Sequence, residues 1–288
     1  YLYRLFDRDC RPFIDLRNQS TNAELALRAS LTSEYATIDM SEASDRISRE
    51  LVSWLFQDNK ELHDVLMALS TKWILPPKEL KDAFPNVMRT QKYAPMGSAL
   101  CFPVMTLVHR ALIQAIIWHY DADVRCSNKF PEDIPVYAYG DDIIVKRQHA
   151  EYVINHLPRF SMKINKTKSF YKSRFRESCG MHAYNGVCVT PVYTKYTPYH
   201  HTGKAIASLM QNERDYFSKG FLHSAKLVRT ELAKLIDIEL VPADLSIAGI
   251  TRHLNREQEC LFKAQHRLKW SKRYQCYRYL VPKMQAPK

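Results

Sequence analysis

Apolar residues along this chain follow two rhythms, and the switches between them mark its elements. Tyr35 to Asp39 (YATID) is a short run of strand-forming residues that ends on an acid, which predicts a strand. Ser41-Glu42-Ala43-Ser44 then offers helix caps, and Ile47, Leu51, Trp54 and Leu55 recur at helical spacing, predicting one helix across them. A second helix is predicted from Asp58 to Trp73, broken by Pro76 and Pro77. Met96-Gly97-Ser98 precedes the longest apolar stretch, Ala99 to Tyr120, with Pro103 in its first turns. Pro103, His109, Arg110 and Gln114 make that stretch a poor membrane span and a good buried helix. Tyr137-Ala138-Tyr139 and Ile143-Ile144-Val145 flank Gly140-Asp141-Asp142, which predicts a tight hairpin. A helix around His149 to Leu157 follows, then strands at Ser169 to Tyr171 and Tyr184 to Tyr196. Beyond His200 the pattern turns helical to the C-terminus, with a break at Pro242. Residues 1–34 form a polar approach with a helical patch near Ala23 to Ala29. The order predicts an α+β core with a helical subdomain from about residue 200.

At 288 residues and 46% hydrophobic content the chain can bury a core as one large domain or two smaller ones. It shows no internal repeat or low-complexity run. Its net charge of +12 suits a polyanionic partner, although a merely basic surface gives the same count. From Pro158 to Arg176 there are seven Lys/Arg and no acid; from Lys226 to the end there are thirteen Lys/Arg against six Asp/Glu. Phe262, Trp270, Tyr274, Tyr277 and Tyr279 interleave the second region, where basic and aromatic residues either hold phosphates and stack bases or form the two faces of a helix. Seven cysteines without a CxxC pair read as reduced, intracellular usage. A zinc group from Cys179, His182, Cys188, His200 and His201 matches no compact ligand spacing. The chain opens without Met inside structured-looking sequence, with no signal-peptide pattern, and reads as a fragment lacking an N-terminal part.

Two adjacent carboxylates at the hairpin tip, Asp141 and Asp142, are either simply solvated or offered to a hard divalent cation that wants oxygen ligands. Asp39 ends its strand, where backbone is fixed and a side chain can face a cleft. Asp45 lies six residues on, where helix capping is an alternative role. If the strand pairs beside the hairpin, Asp39 approaches Asp141, and two Mg²⁺ ions about 3.5–4 Å apart fit between such acids in phosphoryl chemistry.

TIDMSEASDRIS, MGSALCFPVMTLVH, YAYGDDIIV, KINKTKSF and FRESCGMHAYNGVCVTPVYTK occur in that order. Together they resemble motifs A to E of viral RNA-dependent RNA polymerases. The spacing of the two acids in the first, and FRESCG followed by VTPVY, resemble the replicases of the leviviruses, positive-strand RNA bacteriophages. DLRNQSTNAELALRAS resembles the approach to motif A in that family, and Leu254 to Tyr279 its end more loosely. The resemblance implies a right-hand polymerase: a fingers remnant at 1–34, a palm at 35–199 and a helical thumb at 200–288. It implies Asp39 and Asp141 as main metal ligands with Asp142 secondary, two Mg²⁺ ions with Mn²⁺ able to substitute, and Asp45 facing the ribose of the incoming nucleotide. Gly97 and Ser98 would position template and nucleotide. Lys166 or Lys168 would lie near the triphosphate, with Lys168 the favoured proton donor to pyrophosphate. Arg176 to Cys179 would form the turn beside the primer end, with Arg176 touching substrate or tied to Glu177. Implied partners are RNA template and product, NTPs and the host elongation factors Tu and Ts, in the bacterial cytoplasm and without a membrane. Cys188 and Met105 stand where that family usually carries acids, which puts secondary contacts in question. A non-catalytic RNA-binding subunit of the same fold is the main alternative. A reverse transcriptase is another, disfavoured because Asp45 invites a 2′-OH.

Overall fold

The computed structural model describes residues 13–76, 87–127, 130–194 and 203–235, residues 3, 4 and 79, and the backbone of four short strands beyond residue 235. The chain divides into two units, Tyr1–Thr190 and Pro191–Lys288. In order, the first contains α1 (Ser20–Thr32), β1 (Tyr35–Ser41), α2 (Ala43–Arg46), α3 (Arg49–Leu55), α4 (Lys60–Ala68), β2 (Trp73–Ile74), β3 (Met88–Arg89) and α5 (Cys101–Tyr120). There follow α6 (Ala122–Cys126), β4 (Val136–Tyr139), β5 (Asp142–Lys146), α7 (Ala150–His156), β6 (Lys163–Ile164), β7 (Phe175–Ser178), β8 (Met181–Tyr184) and β9 (Val187–Cys188). The expected mixture of helices and antiparallel sheet is what this unit shows.

Its centre is an antiparallel sheet in the order β4-β5-β1-β6. Period-two alternation divides β1 between two layers. Ala36, Ile38 and Met40 join Val136, Ala138, Ile143 and Val145 in the main core, while Tyr35 and Ile144 pack with Ala29 of α1. The main core is closed by α5, whose Val104, Val108, Leu112, Ile113, Ile116 and Ile117 are all buried. Each such side chain contributes about 1.5–3 kcal/mol on burial, so this helix is the sheet's principal support. It is long and apolar enough to cross a membrane, but 67% of its most apolar 18-residue stretch is buried within the fold, as befits a core helix.

The structure departs from the predicted elements at several points. The single helix expected from Ser41 through Leu55 is two, because Ile47 turns extended (φ −79°, ψ 106°) and stays buried. Backbone bonds explain the break: Tyr93 N donates to Ile47 O (2.8 Å) and Arg49 N to Gln91 O (2.9 Å), while Ser48 Oγ caps α3 by accepting from Leu51 N (3.0 Å). The helix predicted to Trp73 stops at Ala68, and Trp73 pairs with Arg89 instead. The strand expected at Ser169 to Tyr171 is reduced to one bridge, Thr37 to Phe170. Of the strand expected from Tyr184 to Tyr196, the described residues show only the end of β8 at Tyr184 and the short β9.

Phe175 to Cys188 form a second antiparallel sheet, β7-β8-β9. Arg176 fastens it to β1, and this corrects the expectation that Arg176 touches substrate. Arg176 is fully buried, its Nε donates to Tyr35 O (2.7 Å), and its Nη1 donates to Ser173 O and Phe175 O. Burial, with the nearby Arg147 charge, pulls its pKa down to about 10, which still leaves it charged at neutral pH. Nor does it pair with Glu177, which meets Lys168 and His182.

In the second unit α8 (Gly203–Ser218) and α9 (Leu222–Leu235) pack through Leu209, Met210 and Leu232. Arg229 Nη2 lies 2.6 Å from the buried Glu213 carboxylate. The continued helix expected beyond is replaced by β10 (Leu240–Pro242) paired parallel with β11 (Ile250–Arg252), and β12 (Leu268–Ser271) paired antiparallel with β13 (Cys276–Tyr279). The backbone register pairs Leu268 with Tyr279 and Trp270 with Tyr277, and a sequence alternating aromatic and basic residues suits a strand. Phe262 and Tyr274 lie outside the described residues.

Replacing Arg176 with Met leaves three inward carbonyls without that donor. Urea denaturation is expected to show a loss of about 3 kcal/mol; a change below about 0.5 kcal/mol, ordinary for a surface site, would contradict the fastening role.

Candidate active site

In the register of β1 against β5, Asp39 stands opposite Asp142. Two acids are therefore neighbours at the end of the sheet, and Asp141 sits beside them in the β4–β5 turn. The three differ in surroundings. The Asp39 Oδ2 accepts from Asn165 Nδ2 (2.8 Å), its backbone O accepts from Asn165 N (2.9 Å), and its N donates to Ser169 Oγ (3.2 Å). The KINKTKSF segment thus wraps the strand end. Burial raises the Asp39 pKa; the Asn165 bond opposes this and the Asp141 charge adds to it. The Asp142 carboxylate is engaged by the β7–β8 turn, its Oδ2 accepting from Cys179 N (3.1 Å) and its Oδ1 from Ser178 Oγ (3.3 Å). Burial pushes Asp142 up to about 6, the Cys179 amide pulling back and Asp141 adding to the rise. Asp141 itself is exposed.

The two-residue turn requires Gly140, which has φ +68°. A Cβ there would lie 2.6 Å from Phe102 Cε2. Gly140 N donates to Thr106 Oγ1 (3.0 Å), and its carbonyl faces His109 Nδ1 at 2.9 Å. Both partners are fully buried on α5. Burial pushes His109 down to about 4, so the ring is neutral and its one proton sits on Nδ1 to meet the carbonyl. Sequence reading used His109 only against a membrane span and passed over Thr106. The available signal was two polar residues three apart on the apolar face of a long helix.

Asp141 opens into a cleft of about 490 Å³ that is also lined by Asp45, Met96, Gly97, Ser98 and Met105. Gly97, at φ +98°, begins the turn that leads into α5, where Cys101 N donates to Ser98 O (3.1 Å). The break at Ile47 leaves Asp45 on the one-turn helix α2, and the bridge from Ser48 to Lys92 brings Lys92 Nζ to 2.5 Å from Asp45 Oδ1. Lys92 was not foreseen from the sequence; only the paired backbone reveals it. Asp45 caps no helix end, since Glu42 occupies that place.

The two candidate lysines separate. Lys168 faces Asp39, whose pKa its charge lowers, and lies 3.7 Å from Glu177. Lys166 lines a different cavity of about 540 Å³ with Arg46 and Lys163. Glu177 also lies 3.3 Å from His182 Nε2. The structure therefore gathers Asp39, Asp141, Asp142 and Lys168 at the sheet end, and Asp45, Gly97 and Ser98 along the cleft that Asp141 shares. It leaves Lys166 apart and Arg176 buried.

Among the described residues no three His, Cys, Asp or Glu side chains are grouped as a ready metal site. Asp39 and Asp141, whose charges oppose one another, nonetheless form a donor set suited to a hard cation that completes its shell with water and phosphate oxygens. The oxygens of Asp142 are already engaged.

The profile of the family described as RNA replicase, beta-chain, matches residues 8–204. The RNA-directed RNA polymerase subunit beta of Enterobacteria phage SP is 35% identical over 183 residues, covering 63% of this chain and 29% of that protein. The RNA-directed RNA polymerase beta chain of Escherichia phage MS2 is 34% identical over 182 residues, covering 63% and 30%. The corresponding subunit of Escherichia virus Qbeta is 32% identical over 183 residues, covering 64% and 28%. The chain thus spans less than a third of the length of these relatives. A telomerase structure from Candida albicans aligns at a TM-score of 0.42 and 13% identity, over 81% of this chain and 44% of that one, a likeness too low to bear on the fold.

The Asp142 environment has a consequence for pH. Its folded-state pKa of about 6 exceeds the unfolded value of about 3.9, so the folded chain binds the extra proton. The stability it lends is fully present below about pH 4 and is lost as pH rises through about 6. In EDTA, Asp142→Asn is expected to remove a fall on the order of 2 kcal/mol between pH 4 and pH 7. Parallel stability profiles for the two proteins would contradict this.

Proposed function

Because the chain belongs to the RNA replicase beta-chain family, we propose that it carries the catalytic centre of an RNA-directed RNA polymerase. In this reading residues 35–199 are the palm of a right-hand polymerase, 1–34 part of the fingers and 200–288 a thumb. The observation that carries it is the shared cleft, where Asp45, Gly97, Ser98 and Asp141 from three separate segments line one opening beside Asp39.

The reaction is attack of an RNA 3′-OH on the α-phosphate of an NTP, forming a phosphodiester and releasing pyrophosphate. Asp39 and Asp141 are the residues to hold Mg²⁺, with Asp142 a secondary ligand. The metal supplies a lowered pKa for the attacking hydroxyl and charge neutralisation of the phosphates. Asp45, held by Lys92, accepts a hydrogen bond from the ribose 2′-OH, which selects NTP over dNTP. Gly97 lets the backbone approach the base pair, and Ser98 offers a small polar group there. Lys168, 3.7 Å from Glu177, would give a proton to the leaving pyrophosphate. Substrates and partners are accordingly NTPs, template RNA and product RNA, with a charge of +12 favouring the polyanions. A site of action in the bacterial cytoplasm, and recruitment of elongation factors Tu and Ts, follow from the family resemblance alone.

Primed RNA extension with Mg²⁺, measured with the purified protein, tests the reading. Asp141→Ala should lower the rate about 10³-fold, since a lost metal ligand removes several kcal/mol of transition-state stabilisation. Asp45→Ala should narrow the preference for NTP over dNTP. Extension that survives Asp141→Ala and Asp142→Ala together would overturn the assignment.

A further inference from the structure

We propose that Thr106 and His109 are positioning residues: one turn of α5 grips both the backbone N–H and the backbone C=O of Gly140 and so aims the Asp141 carboxylate into the cleft. The inference rests on the polymerase reading for what Asp141 does there, but its geometry stands on its own. Thr106 Oγ1 donates its proton to Phe102 O (2.8 Å), which leaves a lone pair for the Gly140 N–H at 3.0 Å. A carbonyl accepts only from a donor, so the 2.9 Å contact from His109 fixes the proton on Nδ1. Among the described residues its Nε2 is buried without a hydrogen-bond partner, so the Gly140 carbonyl is the ring's one polar tie there. Phe102, at the start of the same helical face, occupies the space a Cβ on residue 140 would need. Phe102, Thr106 and His109 are spaced four and three residues apart and therefore share one stripe of the helix.

Three constraints from one rigid helix meet on one glycine. A two-residue hairpin tip is otherwise among the freest parts of a fold, and an exposed acid on it would sample many directions. The clamp also sets the distance between the Gly97–Ser98 turn and the acid turn. The same helix begins at the former and, one and a half to two turns later, holds the latter. Positioning of this kind typically changes metal affinity or activity by about 10–100-fold when it is lost.

The test compares Thr106→Val, which keeps the shape and removes the hydroxyl, with Thr106→Ser, which keeps the hydroxyl, in the full 288-residue chain. His109→Asn, which retains a donor near the Nδ1 position, is set against His109→Phe, which does not. Three quantities are read: melting temperature, hydrogen exchange of the Gly140 amide, and Mn²⁺ affinity by electron paramagnetic resonance, with Asp141→Ala as reference. The expected result is Gly140 exchange and Mn²⁺ binding both altered about tenfold or more in Thr106→Val and His109→Phe. Thr106→Ser and His109→Asn should return toward wild type. A fall in melting temperature alone, with exchange and affinity unmoved, would overturn the clamp and leave a structural role. Failure of the hydroxyl and donor variants to restore either quantity would overturn it as well. Wild-type chain that binds Mn²⁺ no better than Asp141→Ala would instead refute the metal role of Asp141, and the clamp would then stand or fall on Gly140 exchange.

Discussion

The antiparallel register of β1 against β5 places Asp39 opposite Asp142, and the rest of the site depends on it. A slip of one residue would turn every side chain of β1 to the other face, moving Asp39 into the apolar layer under α5 and Ile38 out of it. The register is held from both faces. Ala36, Ile38, Ile143 and Val145 are buried on one side, Tyr35 and Ile144 on the other. A hydrophobic pattern that specifies folding thus also fixes where two like charges meet. Burial of the acids, with a smaller contribution from the neighbouring acid charges, opposes the arrangement, as the raised pKa values of Asp39 and Asp142 record.

The surrounding elements offset that cost in different ways. The segment after β6 gives Asp39 an amide donor and binds its backbone, and the β7–β8 turn gives Asp142 a backbone N–H and a hydroxyl. Arg176, buried behind that turn, ties β7 to β1 through the Tyr35 carbonyl. It is a cation spent on architecture within a strongly basic chain. Asp141 receives no such donor among the hydrogen bonds described, and remains the acid most open to the cleft. Asp142, half-buried, thus organises the β7–β8 turn, while Asp141 stays open to the cleft.

Much of this was legible in the sequence because its signals are local. β1, the hairpin and α5 each announce themselves through periodicity, and Gly140 through turn chemistry. Asp39, Asp141, Asp45, Gly97 and Ser98 were singled out by their place in ordered motifs; Asp45, Gly97, Ser98 and Asp141 line one cleft, and Asp39 stands at the adjoining sheet end. The rest was set by long-range pairing that no local pattern carries. Ile47 breaks its helix because Tyr93 and Lys92 arrive from across the chain, and the same arrival supplies Lys92 to Asp45. Arg176 could not be told from a substrate contact without knowing that three carbonyls surround it. Lys166 and Lys168 were interchangeable in sequence but diverge in space, one toward a separate cavity and the other toward Asp39. Beyond residue 235 the basic and aromatic residues were read as helical, and the described strands there are set by pairing between segments that no local pattern shows.

The central claim is that Asp39 and Asp141 share a divalent metal at the end of this sheet. Crystals of the protein soaked in Mn²⁺ and measured at the manganese absorption edge test it most directly. The account predicts an anomalous peak between the Asp39 and Asp141 carboxylates, on the cleft side of the Gly140 turn. A peak held elsewhere, or none while both carboxylates are ordered and solvent-accessible, would contradict it.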